Sequence, residues 1–83
     1  MKKARNIVGP VVRELRLKKN FTQERYVAKL NVLGWDISRD TLAKLEAQTR
    51  WVADSEIPIL AAGLEITPAE LLNLALKKSL KPH

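Results

Sequence analysis

Few side chains in this sequence are equipped for covalent or redox chemistry. There is no cysteine, so a thiolate nucleophile, a disulfide framework and a thiolate zinc site are all ruled out, and the single histidine, His83, is the last residue. Metal binding and histidine-based acid–base catalysis are therefore not expected, and neither is a cofactor. Asp40 and Glu46 are the one pair of carboxylates that invites an acid–base reading. They stand more than one helical turn apart, and a chain of 83 residues is sized for one small solid domain, not for two lobes with a cleft between them. An enzyme with a small-molecule substrate is thus the weakest reading. What remains is recognition by charge and hydrogen bonding.

The charge is unevenly placed. Fifteen Lys and Arg against nine Asp and Glu give a net charge of +6, but residues 1–50 hold 12 basic and 5 acidic groups while residues 51–83 hold 3 and 4. The cationic field belongs to the N-terminal part, and its natural complement is an anionic partner. Charge alone does not separate this from a basic surface that only keeps a small domain soluble. Hydrophobic residues make up 46% of the chain, enough for one small core and too many for a disordered polyelectrolyte. The longest uncharged apolar run, residues 57–64, is far short of a membrane span, and the apolar run after Lys2, Lys3 and Arg5 is too short for a signal peptide. A cytoplasmic protein with no membrane partner is expected.

Helix punctuation recurs along the chain and strand-like alternation does not, which predicts an all-α domain of five helices. The first runs over about residues 10–19, with Pro10 at its first position and Val11, Val12, Leu15 and Lys19 on one stripe. Asn20 and Phe21 interrupt it. Thr22 caps a second helix over 23–33, turned inward through Tyr26, Val27, Leu30 and Leu33, and Gly34 closes it. Ser38 caps a third over 39–47, with Leu42 and Leu45 inward and Arg39, Asp40, Ala43 and Lys44 outward, short or polar groups that leave it free to lie against something else. Asp54 caps a fourth through residue 62, ended by Gly63. Thr67 and Glu70 form a capping box around Pro68 for a fifth, through about residue 79.

This order resembles the Cro/repressor-like (XRE-type) helix-turn-helix family over residues 8–76. The resemblance is carried by Arg13-Glu14-Leu15-Arg16, by Thr22-Gln23-Glu24 opening the second helix, by Ile37-Ser38-Arg39 leading to Leu42, Leu45 and Glu46, and by Gly63-Leu64-Glu65-Ile66-Thr67 with Leu71-Leu72. The chain departs from the family between the second and third helices. Asn31 stands where the turn usually has glycine, and about five extra residues within 31–36 precede Ile37, as in a branch of the family with a Gly-Trp-Asp-like link. The resemblance implies a compact five-helix, lambda-repressor-like domain over residues 1–83. Within it, residues 1–8 form a flexible basic arm and residues 22–47 the helix-turn-helix unit.

Its implied function is sequence-specific binding of double-stranded DNA by a transcriptional regulator or repressor, with the third helix in the major groove. By position, Ser38, Arg39, Asp40, Thr41 and Lys44 become the reading residues. Arg39 has the fork for guanine O6 and N7, and Lys44 the reach for the same acceptors or a phosphate. Asp40 either accepts from cytosine N4 or favours the helix macrodipole. Gln23 and Thr22 fall where the family contacts a phosphate at the start of the second helix, and Arg50 where it touches the backbone. Arg16 and Glu46 match a structural pair of the family that fixes the reading helix to its scaffold. Lys2, Lys3 and Arg5 are a backbone or minor-groove arm, or a frayed tail. Trp35 and Trp51 read as packing at the core's edge, with Trp35 also suited to a partner surface. Leu71, Leu72, Leu74, Leu76 and Leu80 spread over more than one face of the last helix, so a homodimer through that helix is a candidate. The rival class is a protein-interaction module, antitoxin- or adaptor-like, on the same fold.

Overall fold

The computed structural model describes residues 4–80, which form five α-helices and, among the described residues, no strand. They are α1 (Gly9–Lys18), α2 (Gln23–Val32), α3 (Arg39–Glu46), α4 (Ile57–Gly63) and α5 (Pro68–Leu80), with a 3-10 turn at Asp54–Glu56. Local chemistry starts α2, α3 and α5 where the sequence indicates. The Thr22 hydroxyl accepts from the Arg25 amide at 3.1 Å, and the Ser38 hydroxyl from that of Thr41 at 3.1 Å. Thr67 and Glu70 exchange both bonds of a capping box. Asn20 (φ 59°) and Gly34 (φ 99°) take the left-handed turns that follow α1 and α2.

One core joins the helices. Val8, Val11, Val12, Tyr26, Leu30, Ile37, Leu42, Leu45, Leu60, Ala61, Leu64, Leu71 and Ala75 are buried together. α1 packs on α3 and α5, α2 on α3 and α4, and α4 on α5. The Tyr26 hydroxyl donates to the Leu60 carbonyl at 2.8 Å, pinning α2 to α4, and burial pushes its ionisation above the ordinary tyrosine value.

Gly63 is the last residue of α4, as expected, and the left-handed residue beyond it is Glu65 (φ 62°). Gly63 also serves close approach: a Cβ there would stand 2.8 Å from the Tyr26 ring and 2.9 Å from Leu30 Cδ2. Gly63→Ala is therefore expected to destabilise the fold by about 1–3 kcal/mol, the usual cost of overpacking, read as a lower urea midpoint at unchanged slope. Three expectations are corrected. Asp54 does not cap α4. It opens the 3-10 turn, and the Glu56 carboxylate accepts from the Ala53 amide at 3.0 Å.

Leu33, expected inward, is 47% exposed, because α2 has ended and the chain turns away at Gly34. Residues 5–8 of the expected flexible arm are docked. The Arg5 amide bonds to the Gln48 carbonyl, Asn6 Nδ2 donates to the carbonyls of Leu45 (3.1 Å) and Arg50 (2.8 Å), and Val8 is buried. Gly9, next along, packs so tightly that a Cβ would collide with the Leu45 carbonyl oxygen. The start of α1 is thus fastened to the end of α3. Lys2 and Lys3 of the arm, and His83, lie outside the described residues. Among the described residues no single helix is long and apolar enough to cross a membrane.

Candidate nucleic-acid interface

α3 offers an exposed side that the core does not claim. Leu42 and Leu45 are fully buried, while Ser38, Arg39, Asp40 and Lys44 are exposed and Thr41 and Ala43 are half-buried. Ser38 and Thr41 are partly committed to the helix start, since the Ser38 hydroxyl also donates to Thr41 Oγ1 at 2.9 Å. Arg39 and Lys44, each 63% exposed in its side chain, point cationic ends into solvent. Each has an acid nearby: Glu24 on α2 at 3.6 Å from Arg39 Nε, and Asp40 at 3.4 Å from Lys44, one turn earlier on α3. Asp40 therefore faces the lysine a turn on, besides standing in the first turn where it favours the macrodipole.

A buried ion pair joins α1 to the end of α3. Arg16 on α1 sends Nε to Glu46 Oε2 at 2.8 Å and Nη2 to Glu46 Oε1 at 3.0 Å, both side chains being more than nine-tenths buried. Its remaining Nη1 donates to the Phe21 carbonyl at 2.8 Å, just ahead of the α2 cap. Gln23, the first residue of α2, adds Nε2 to Glu46 Oε1 at 3.1 Å. One carboxylate at the end of α3 thus collects α1, the turn before α2 and α2 itself. Among the described residues no buried side-chain polar atom lacks a partner. That complete pairing is the condition under which a buried ion pair is tolerable. Among the described residues no hydrogen bond engages the Gln23 amide oxygen, beside the exposed Thr22 at the mouth of α2.

The link between the two helices is ordered by its own bonds. Asn31 Nδ2 donates to the carbonyls of Trp35 (2.8 Å) and Ile37 (3.3 Å), and the Trp35 amide bonds back to the Leu30 carbonyl. Trp35 packs on the core's edge, as expected. Trp51 does not: it is 68% exposed, with the Arg5 guanidinium 5.9 Å from its ring.

Arg50 is placed differently from the other expected contacts. Its guanidinium makes a forked pair with Glu56 (2.9 and 3.1 Å), donates to the Trp51 carbonyl at 3.0 Å and lies 5.8 Å from the Trp35 ring. It ties the link before α3 to the segment after it. The forked bond from Arg50 holds the Glu56 carboxyl below its ordinary 4.5, helped by the Ala53 amide and opposed by burial. A carboxyl depressed in the folded state adds stability above its unfolded value and loses it as pH falls through the folded one. Acid titration of the melting temperature is therefore expected to fall below about pH 4.5, and Glu56→Gln to flatten that fall, read by thermal denaturation at pH 3–7.

Sequence reasoning missed Asn6, the Arg50–Glu56 clamp and the Glu24–Arg39 approach. No periodicity relates these partners, so no signal in the chain could have paired them.

Fold and exposed helix together define a five-helix domain with a helix-turn-helix at its centre. No protein-family model and no curated protein matches the chain. Among solved structures it is similar to the wild-type restriction-modification controller protein C.Esp1396I, with a TM-score of 0.80, 23% identity and complete coverage of both chains. It is equally similar to the C.Esp1396I tetramer in complex with its natural 35 base-pair operator, with a TM-score of 0.78 and 23% identity over 98% of this chain and 100% of that one. At that identity the likeness is one of fold.

Proposed function

We propose that this chain is a DNA-binding transcriptional regulator that reads the major groove with α3. The observation that carries the reading is the fastening of α2 and α3 through Arg16, Glu46 and Gln23, with the polar and cationic side of α3 left free. A recognition helix must be held rigidly and present its first turns to base edges. In this reading Arg39 takes a guanine edge, Ser38, Thr41 and Asp40 line the same approach, and Lys44 adds a base or phosphate contact. Thr22 and Gln23 take a phosphate at the mouth of α2. Arg50 reaches the backbone only through whatever donor capacity Glu56 and Trp51 leave it. The role is non-enzymatic, and a similarly folded controller protein seen on its operator supports it.

The reading includes a homodimer through α5. Leu72, Leu76 and Leu80 recur every fourth residue and are 38%, 47% and 78% exposed, so they form a stripe that the domain's own core does not cover. Paired domains on one face of DNA need half-sites about one helical turn apart. The test is selection of duplexes from a random library at about 150 mM salt, where non-specific attraction is screened. Enrichment of an inverted repeat is the expected result. Salt-sensitive bulk binding without enrichment, or monomer alone in sedimentation at micromolar concentration, overturns the sequence-reading or the dimeric part respectively.

A further inference from the structure

Glu24 is the second residue of α2 and stands beside the proposed DNA-facing side, where a negative charge is a liability. Its carboxylate lies 3.6 Å from Nε of Arg39, the first residue of α3, and both side chains are well exposed, at 69% and 63%. An ion pair so wet adds little to the fold, so the stability of the domain gives no reason for it. Its geometry has a consequence for Arg39. The carboxylate stands by Nε, beyond hydrogen-bond distance, and among the described residues no hydrogen bond engages the terminal nitrogens of Arg39. Readout of guanine uses two parallel donors, which lose their value when the guanidinium rotates freely.

The charge has a second consequence. DNA of any sequence attracts cations at this surface, and a carboxylate among them subtracts from that attraction whatever the bases are. That penalty is the same for every duplex, and specificity is a difference of affinities, so any gain in discrimination has to come from the orientation of Arg39, which only a duplex offering it a pair of acceptors can use.

We propose that Glu24 is a positioning residue for base readout: it orients the Arg39 guanidinium toward paired acceptors on a base edge, at a uniform cost to binding on every duplex. This rests on the reading of the chain as a DNA-binding regulator. The test uses the full chain carrying Glu24→Gln, which keeps the shape and removes the charge, alone and combined with Arg39→Ala. Binding is titrated by fluorescence anisotropy on the selected duplex, on a set in which each base pair is changed singly, and on an unrelated duplex.

In Glu24→Gln, affinity for the unrelated duplex is expected to rise about three- to tenfold, and discrimination at a single base pair of the half-site to fall by a similar factor. With Arg39→Ala in place, the same substitution is expected to raise affinity evenly and alter no preference. An even rise on all duplexes with every preference intact in Glu24→Gln alone reduces Glu24 to a charge and overturns the proposal. A lowered melting temperature with preference lost at every position makes Glu24 a structural residue and also overturns it. If the wild-type chain discriminates among no duplexes, the regulator reading itself fails, and the proposal with it.

Discussion

Glu46→Ala is expected to cost about 3–5 kcal/mol and to leave the protein at the edge of unfolding at room temperature. The reason is what stays behind. Arg16 is buried at the meeting of α1, α3 and the turn before α2, and without the carboxylate two of its donors lose their partner in a place water does not reach. Gln23 loses its bond as well. Urea denaturation followed by circular dichroism reads the effect directly, as a collapse of the midpoint.

The same logic predicts a rescue. Replacing both charges by apolar groups of similar volume, Arg16→Met with Glu46→Leu, removes the stranded charge together with its partner. That double variant is expected to recover most of the lost stability, because a buried pair is worth little more than good packing. It would not recover the full brace, since Arg16 also bonds the Phe21 carbonyl and Gln23 is positioned by Glu46. A double variant as unstable as Glu46→Ala would show that the charge pair itself stabilises the fold.

Arg39→Ala is expected to do the reverse: little to the fold and much to recognition. Its side chain is 63% exposed and sits at the first position of α3, where alanine is well tolerated. On the selected duplex the loss should be about 1–3 kcal/mol, roughly five- to 150-fold in affinity, with the base preference relaxed at one position of each half-site. Arg39→Lys separates the two contributions of the side chain. It keeps the charge and loses the fork, so bulk binding and its salt dependence should persist while the preference is lost. Anisotropy titrations on singly substituted duplexes at two salt concentrations distinguish the cases. Equal weakening on every duplex would make Arg39 a phosphate contact.

The two substitutions mark where the sequence was legible. That Arg39 is exposed and forward on a capped helix was readable from Ser38, from the inward spacing of Leu42 and Leu45, and from the resemblance. That Arg16 and Glu46 meet was readable only through the resemblance, because nothing along the chain links a mid-α1 arginine to the end of α3. Like Arg39 with Glu24, Arg50 had surroundings that the sequence concealed. Its partner Glu56 lies across an irregular segment, and the two meet because the 3-10 turn brings Glu56 back. Trp51 misled for a related reason. An aromatic residue announces area to be buried, but whether a neighbour arrives to bury it depends on the path of the chain.

By itself the sequence determined the helices and the starting points of all but α4. Caps, prolines, left-handed residues and apolar spacing act within one turn or two, and the energies involved are local. Tertiary structure alone decided which of those local features served another element. Gly63 ends its helix and is also a contact with Tyr26 and Leu30, residues 5–8 looked like a loose arm and are docked on the end of α3, and Glu24 came to rest beside Arg39. Close approach, burial and ion pairing are properties of distances between elements, and those distances exist only once the helices have packed.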